Sequence, residues 1–183
     1  MSIKRALAVI SNLAKEGVIK NYAITGAVAA LNYIEPTLTE DVDVLVSLED
    51  FGAHASGLLL LGPLEEALAK RGYSARSDVG VIVEDWPVQF IPVASPLDEE
   101  ALREAIDVQI DGDQGTSVRM LRPEHVVAKA ISIGRFKDLS RAEAFLDQNA
   151  VDLDALRALL RRFGLDDAWR TFCIKAGRTD PLR

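Results

Sequence analysis

The sequence predicts an α/β fold: a small mixed sheet with flanking helices over residues 1–120, then a C-terminal helical bundle over residues 121–183. Three observations predict it. Short valine-rich runs with the period of strands are interleaved with helical-period segments as far as Met120. Beyond Arg122 every apolar segment has helical spacing. Charge divides at nearly the same place: residues 1–118 carry 8 Lys/Arg against 19 Asp/Glu, and residues 119–183 carry 13 against 9.

Each element has its own local reason. Residues 3–16 form an amphipathic helix with Ile3, Leu7, Ile10 and Leu13 on one stripe, Ser2 as cap and Gly17 at the end. "NYAIT" is a short strand, and "GAVAALNYI" turns into a small-residue helix stopped by Pro36. "DVDVLVS" is a strand with Val42, Val44 and Val46 on one face and Asp41, Asp43 and Leu45 on the other. "LEDF", from Leu48, begins a loop or short helix, and "GPLEEALAKRGY" is a helix with proline near its start. "YSARSDVGVIV" and "VQFIPVA" are two strands joined by a tight turn at "EDWP". "SPLDEEALREAI" is a helix capped by Ser95 with Pro96 at its first position, and "TSVRML" is a short strand. The tail then reads as four helices, opening at Pro123, Asp138, Asp152 and "LDDAW".

Composition narrows the class. A hydrophobic fraction of 49% with 27% charged residues is that of a globular protein and argues against disorder. The longest strongly apolar run, "GLLLLG", is far too short to span a bilayer, and the N-terminus lacks the apolar core of a signal peptide. The expected location is cytoplasmic, with no membrane partner. A single cysteine, Cys173, excludes an internal disulfide framework and a cysteine-based zinc site. The net charge of −7 covers an acidic half suited to a cation and a basic half suited to phosphates.

The chemistry-bearing stretch is "YAITGAVAALNYIEPTLTEDVDVLV", Tyr22 to Val46. Residues i and i+2 of a strand project to one face, about 6.6 Å apart along the chain. Asp41 and Asp43 therefore repel unless a cation lies between them. Magnesium suits such a pair, because it takes hard oxygen ligands and is commonly held by one or two carboxylates plus substrate phosphates. The order of features matters: an apolar strand, a glycine turn, a small helix, and only then the acidic pair with its apolar run behind it. That order resembles the DNA polymerase β-like nucleotidyltransferase superfamily. The form T-x-D-x-D, here Thr39, Asp41 and Asp43, is similar to the minimal nucleotidyltransferases of the abortive-infection toxin type. So is a lysine on one helix, Lys129, followed by R-x-K-D, here "RFKD" with Arg135, Lys137 and Asp138. The similar segments span residues 22–148.

The resemblance implies a nucleotidyltransferase-like fold and magnesium-dependent (or manganese-dependent) nucleotidyl transfer from an NTP to an RNA or protein hydroxyl. It also implies a cognate antitoxin as a partner. Asp41 and Asp43 would hold the metal, with Lys129 beside them in the catalytic set. Gly26, Ala27, Thr39, Arg135 and Lys137 would bind the nucleotide. Gly26 lets backbone approach phosphates with no Cβ in the way, and the helix behind it turns N–H groups toward them.

Two positions depart from that pattern. Ala27 stands where relatives carry a serine hydroxyl. Gln89, in "WPVQFIPV", stands where active members carry a third carboxylate that deprotonates the attacking hydroxyl. Losing general-base help costs typically ~10²–10⁴-fold in rate. The alternative function is accordingly a degenerate nucleotide-binding or toxin–antitoxin partner module. Glu84 and Asp85 lie in the expected turn, several residues from the strand position needed. His54 and His125 are expected at the surface or near helix caps, and Ser56 and Ser132 have no nucleophile-elbow context. Arg157, Arg161 and Arg162 lie on one side of a helix, as a solvated face or one that meets RNA phosphates. Trp169 and Phe172 are expected in the core.

Overall fold

The computed structural model describes residues 3–36, 39–47, 61–110 and 115–182. Ser2, the "LEDF" segment, His54 and Ser56 lie outside them. In chain order the elements are α1 (Ile3–Lys15), β1 (Tyr22–Thr25), α2 (Gly26–Ala30), β2 (Val42–Val46), α3 (Gly62–Lys70), β3 (Val81–Val83) and β4 (Trp86–Pro92). They continue with α4 (Pro96–Arg103), β5 (Ile106–Gln109), β6 (Ser117–Met120), α5 (Pro123–Ile133), α6 (Phe136–Asp147), α7 (Leu153–Arg162) and α8 (Asp166–Lys175).

The strands form one mixed sheet in the order β3-β4-β2-β1-β6-β5. β2 is central, antiparallel to β1 and parallel to β4. Val42, Val44 and Val46 on one face of β2 and Leu45 on the other are all fully buried. Both faces of this strand are therefore covered, as the unbroken apolar run "VLV" after the acidic pair requires. β1 is buried along its whole length, and parallel pairing of Ile24 with Met120 joins it to β6.

α5 organises the helical region. It packs against α2 and α4 on one side and α6, α7 and α8 on the other. A helix with so many neighbours must be apolar around most of its circumference, and "HVVAKAISI" is. Tyr33, just past α2, ties this region to the sheet. Its hydroxyl donates to the Leu121 carbonyl at 2.9 Å, and its ring lies 6.1 Å from that of Phe145, which is fully buried on α6. Trp169 and Phe172 are in the core, 5.3 Å apart between ring centroids.

Several local expectations are corrected. α2 ends at Ala30, four residues before Ile34, where the Asn32 and Tyr33 amides tighten the chain into i→i−3 turns onto the Ala29 and Ala30 carbonyls. Asp41 precedes β2 instead of belonging to it. The β3–β4 turn is Glu84–Asp85 alone, with φ of 51° and 69°. Positive φ at both central residues matches the twist of the flanking strands, so Trp86 and Pro87 already lie in β4. Pro87 is tolerated because the ladder with β2 starts only at Val88. β5 is a four-residue, half-exposed edge strand whose alternation is too brief to stand out beside α4. α6 begins at Phe136, with Arg135 as its extended cap residue after the left-handed Gly134. Asp138 is thus inside the first turn and buried, and His125 is buried as well, on the side of α5 that meets Glu100 of α4. Ser95 caps α4 as expected, accepting from the Asp98 amide at 3.1 Å.

Phe145→Ala should destabilise the fold by roughly 3–5 kcal/mol, the usual cost of emptying a large aromatic site. Tyr33→Phe should cost about 1 kcal/mol for the lost bond to Leu121. Urea unfolding monitored by circular dichroism measures both, and a Phe145→Ala loss below that of Tyr33→Phe would refute this packing.

Candidate active site

The site begins with strand register. Antiparallel pairing sets Asp43 opposite Thr25, and parallel pairing sets it opposite Gln89. Register partners point to the same face of a sheet. The residue after Thr25 is Gly26, with φ of 63°, a conformation that favours glycine. A Cβ at Gly26 would overlap the Asp43 carboxylate and fill the space beside it. Glycine is therefore needed here twice, for the backbone turn and for the room. Ala27 follows, buried in the first turn of α2. Thr39 donates its hydroxyl to the Asp41 carbonyl at 3.0 Å, bracing the approach to β2.

These sheet residues face α5 and α6 across a cleft of about 210 Å³. On the sheet side it is lined by Thr25, Gly26, Asp43 and Gln89, and on the helix side by Lys129, Arg135, Asp138 and Arg141 among others. The helix side is organised by one buried carboxylate. Asp138 accepts from Arg135 Nε at 2.6 Å and from Arg141 Nη1 at 3.2 Å. The Arg135 side chain is 60% exposed and that of Arg141 only 13%. The Nε of Arg141 is buried and makes no hydrogen bond among the described residues. Lys137 is exposed on the next turn of chain.

The electrostatics follow from this layout. Burial pushes the Asp43 carboxyl above its usual range, and the charge of Asp41 pushes the same way. Lys137, Arg141 and Arg135 pull it back down. Asp138 in turn raises the Arg135 guanidinium, with Asp43 and Asp41 adding to the effect. The cleft therefore has a carboxylate pole on β2 and a cationic pole on α6. Two like charges in partial burial are the arrangement a divalent cation relieves. The donor set fits one such ion with hard oxygens. Among the described residues no group of three or more His, Cys, Asp or Glu is placed to hold a metal; Asp43 lines the cleft, and Asp41, which is not among the lining residues, bears on it through its charge.

Lys129 lies in the cleft wall, but its ammonium is paired with Asp98 of α4. Asp98 belongs to the α4 cap: its Oδ2 also accepts from the Ala94 amide at 3.3 Å. A cation on an apolar helix is thus neutralised by the neighbouring helix start. Sequence reasoning missed Arg141 and Asp98. The i, i+3 spacing of Asp138 and Arg141 was a usable signal for the first. Nothing local marks Asp98 as the partner of a residue 31 positions away. The arginine face of α7 is largely engaged elsewhere: Arg157 by Asp154 and the Leu182 carbonyl, Arg162 by Glu100.

A carboxylate whose pKa is raised by folding favours the native state below its unfolded pKa, and that contribution is lost as pH rises through the folded value. At neutral pH, charged Asp43 is therefore a destabilising element in metal-free protein. Asp43→Asn should melt higher than wild type at pH 7–8 in chelator-treated buffer, and the gap should narrow as pH falls into the carboxylate range. Scanning calorimetry across pH tests this; a variant that melts lower than wild type at neutral pH would refute it.

No protein-family model and no curated protein matches the sequence. Solved structures do share its architecture. An antigenic nucleotidyltransferase-like protein from Paracoccidioides brasiliensis superposes with a TM-score of 0.53 at 17% identity, over 79% of this chain and 74% of that one. ANT(2'')-Ia in complex with adenylyl-2''-tobramycin gives 0.49 at 15% identity, over 86% and 93%. The antibiotic-resistance factor ANT(2'')-Ia in solution gives 0.49 at 16%, over 89% and 92%. At such identities the likeness is one of fold, and it rests on the first of the three: the chain has a nucleotidyltransferase-like α/β fold.

Proposed function

We propose that this protein transfers a nucleotidyl group from an NTP, with magnesium (or manganese) as cofactor, as a cytoplasmic enzyme of the abortive-infection toxin type. The observation that carries the reading is the convergence of Gly26 and Asp43 on a cleft whose other wall holds Arg135 and Arg141, with the charge of Lys137 reaching Asp43 from nearby. A carboxylate pole suits the metal and a guanidinium pole suits the phosphates it accompanies. In this reading Asp41 and Asp43 hold the ion, which when bound offsets charge on the triphosphate and on the departing pyrophosphate. Gly26 and Ala27 give the phosphates close access to backbone N–H groups. Thr39 keeps the Asp41 segment in place. Arg135 and Arg141, oriented by Asp138, take up the charge that moves onto the leaving group, with Lys137 at the mouth. Lys129 acts on the same charge through its position in the wall, while Asp98 holds its ammonium. The resemblance of T-x-D-x-D and "RFKD" supports the toxin-type assignment, and with it a cognate antitoxin and an RNA or protein acceptor.

A second reading has one observation in its favour. Gln89 lies directly opposite Asp43 in the ladder, where a third carboxylate would complete the metal and base chemistry. On that reading the chain binds a nucleotide or an antitoxin without turnover.

Mg-ATP or Mg-GTP should raise the melting temperature of wild type, since a ligand that binds only the native state stabilises it by mass action; about 2.7 kcal/mol is expected at a hundred times Kd. Asp43→Asn and Arg141→Gln should each remove most of that shift. Thermal-shift assays with the four ribonucleotides decide it: no shift with any of them, with either metal, would exclude the transferase reading and the nucleotide-binding form of the second.

A further inference from the structure

A hydroxyl is a poor nucleophile until it loses its proton, and a cleft that uses one needs a group to take it. The groups available here can be followed one by one. Asp43 faces the cleft as half of the carboxylate pair that would hold the cation. Asp138 has both oxygens occupied, one by Arg135 and one by Arg141. Lys129 is held by Asp98. Gln89, at the register position beside Asp43, is solvent-accessible and lines the cleft, and its side chain is a neutral amide that takes no proton at any ordinary pH. Among the described residues no histidine lines the cleft; His125, on α5, is buried against Glu100 of α4. Arg135 and Arg141 line the same space and share the single negative charge of Asp138, and the charge of the exposed Lys137 reaches Asp43.

We propose that the acceptor oxygen is one already ionised at neutral pH, that of a phosphate monoester or a carboxylate, and not a hydroxyl. The proposal rests on the nucleotidyl-transfer reading and names the acceptor class for it. Carboxylates with a pKa near 4 and phosphate monoesters with a second pKa near 6 arrive as oxyanions. The step then balances without a base. A lone pair of the acceptor oxygen forms the bond to the α-phosphorus, the bond from that phosphorus to the oxygen bridging to the β-phosphorus breaks, and its electron pair leaves with pyrophosphate. No proton moves. The products are a phosphoanhydride or an acyl phosphate anhydride of the nucleotide, plus pyrophosphate. The cationic wall draws such acceptors toward the mouth and offsets their repulsion from the triphosphate.

The test offers the full chain Mg-ATP radiolabelled at the α-phosphorus with three acceptors in parallel: methyl phosphate, which has no hydroxyl of its own, acetate and glycerol. Equilibrium dialysis with the same labelled ATP is run alongside. Wild type should label methyl phosphate or acetate at least tenfold faster than glycerol, and the two oxyanion arms tell a phosphate acceptor from a carboxylate one. Gln89→Asp, a change at an exposed position, should raise transfer to glycerol by ~10²-fold or more, the lower end of general-base catalysis. It should also reduce transfer to the oxyanions by adding a like charge. Labelling of glycerol by wild type at the rate of the oxyanions overturns the proposal. So does a Gln89→Asp variant with an unchanged acceptor ratio. ATP bound in dialysis with no oxyanion labelled overturns the acceptor class and leaves nucleotide binding standing; no ATP bound removes the nucleotidyl-transfer reading itself.

Discussion

The site is built on the close approach of the β1–α2 turn to the Asp43 carboxylate. Antiparallel pairing of β1 with β2 brings the residue after Thr25 directly alongside Asp43, and the space left is too small for a Cβ. A side chain at Gly26 would have to displace either the turn or the carboxylate, and the positive φ makes the turn itself costly for any other residue. Everything around the cleft is arranged with respect to this contact. The carboxylate is partly buried beside a second acid, so it carries an electrostatic strain that the fold does not relieve from within the sheet. Relief comes from the side of α6, where Arg135 and Arg141 line the opposite wall and the charge of Lys137 adds to theirs.

That opposite wall depends on a second constraint, the burial of Asp138. One carboxylate in the first turn of α6 fixes two guanidinium groups, one exposed and one nearly enclosed. A buried acid near a helix start is favoured by the helix dipole and by charge-assisted hydrogen bonds. The same residue thus closes the α5–α6 corner and orders the cations of the cleft. Stability and site geometry are coupled at this point, because neither guanidinium would hold its position without the shared acceptor.

α5 connects the two walls. It is apolar nearly all round because it touches helices on several sides, and its two polar residues on the α4 side find partners there. Lys129 meets Asp98 and His125 faces Glu100, with burial holding the imidazole pKa below its usual value. Both contacts join α4 to α5. They also explain how a lysine is accommodated on such a helix without being left as an unpaired buried charge.

Much of this was legible in the chain itself. Apolar periodicity and cap residues located the helices, since both are local properties of a dozen residues. The acidic pair at the head of a valine run, the glycine after a short strand, and the "RFKD" segment marked the right stretches for the cleft. Local pattern did not reveal the edge strand β5, four residues long, or the point at which α6 begins. It also left His125 at the surface or near a helix cap; the residue is in the first turn of α5 but buried, and a lone polar residue carries no signal of what packs over it. Only tertiary structure decided which groups meet. Pairing of β2 with both β1 and β4 sets Thr25, Asp43 and Gln89 in one row, although they lie 46 residues apart in sequence between Asp43 and Gln89 alone. Packing of α6 on α5 brought Arg141 to the cleft, and packing of α4 on α5 gave Lys129 its counter-ion. Register and helix packing are set by the sum of many distant contacts, which no local window of sequence contains.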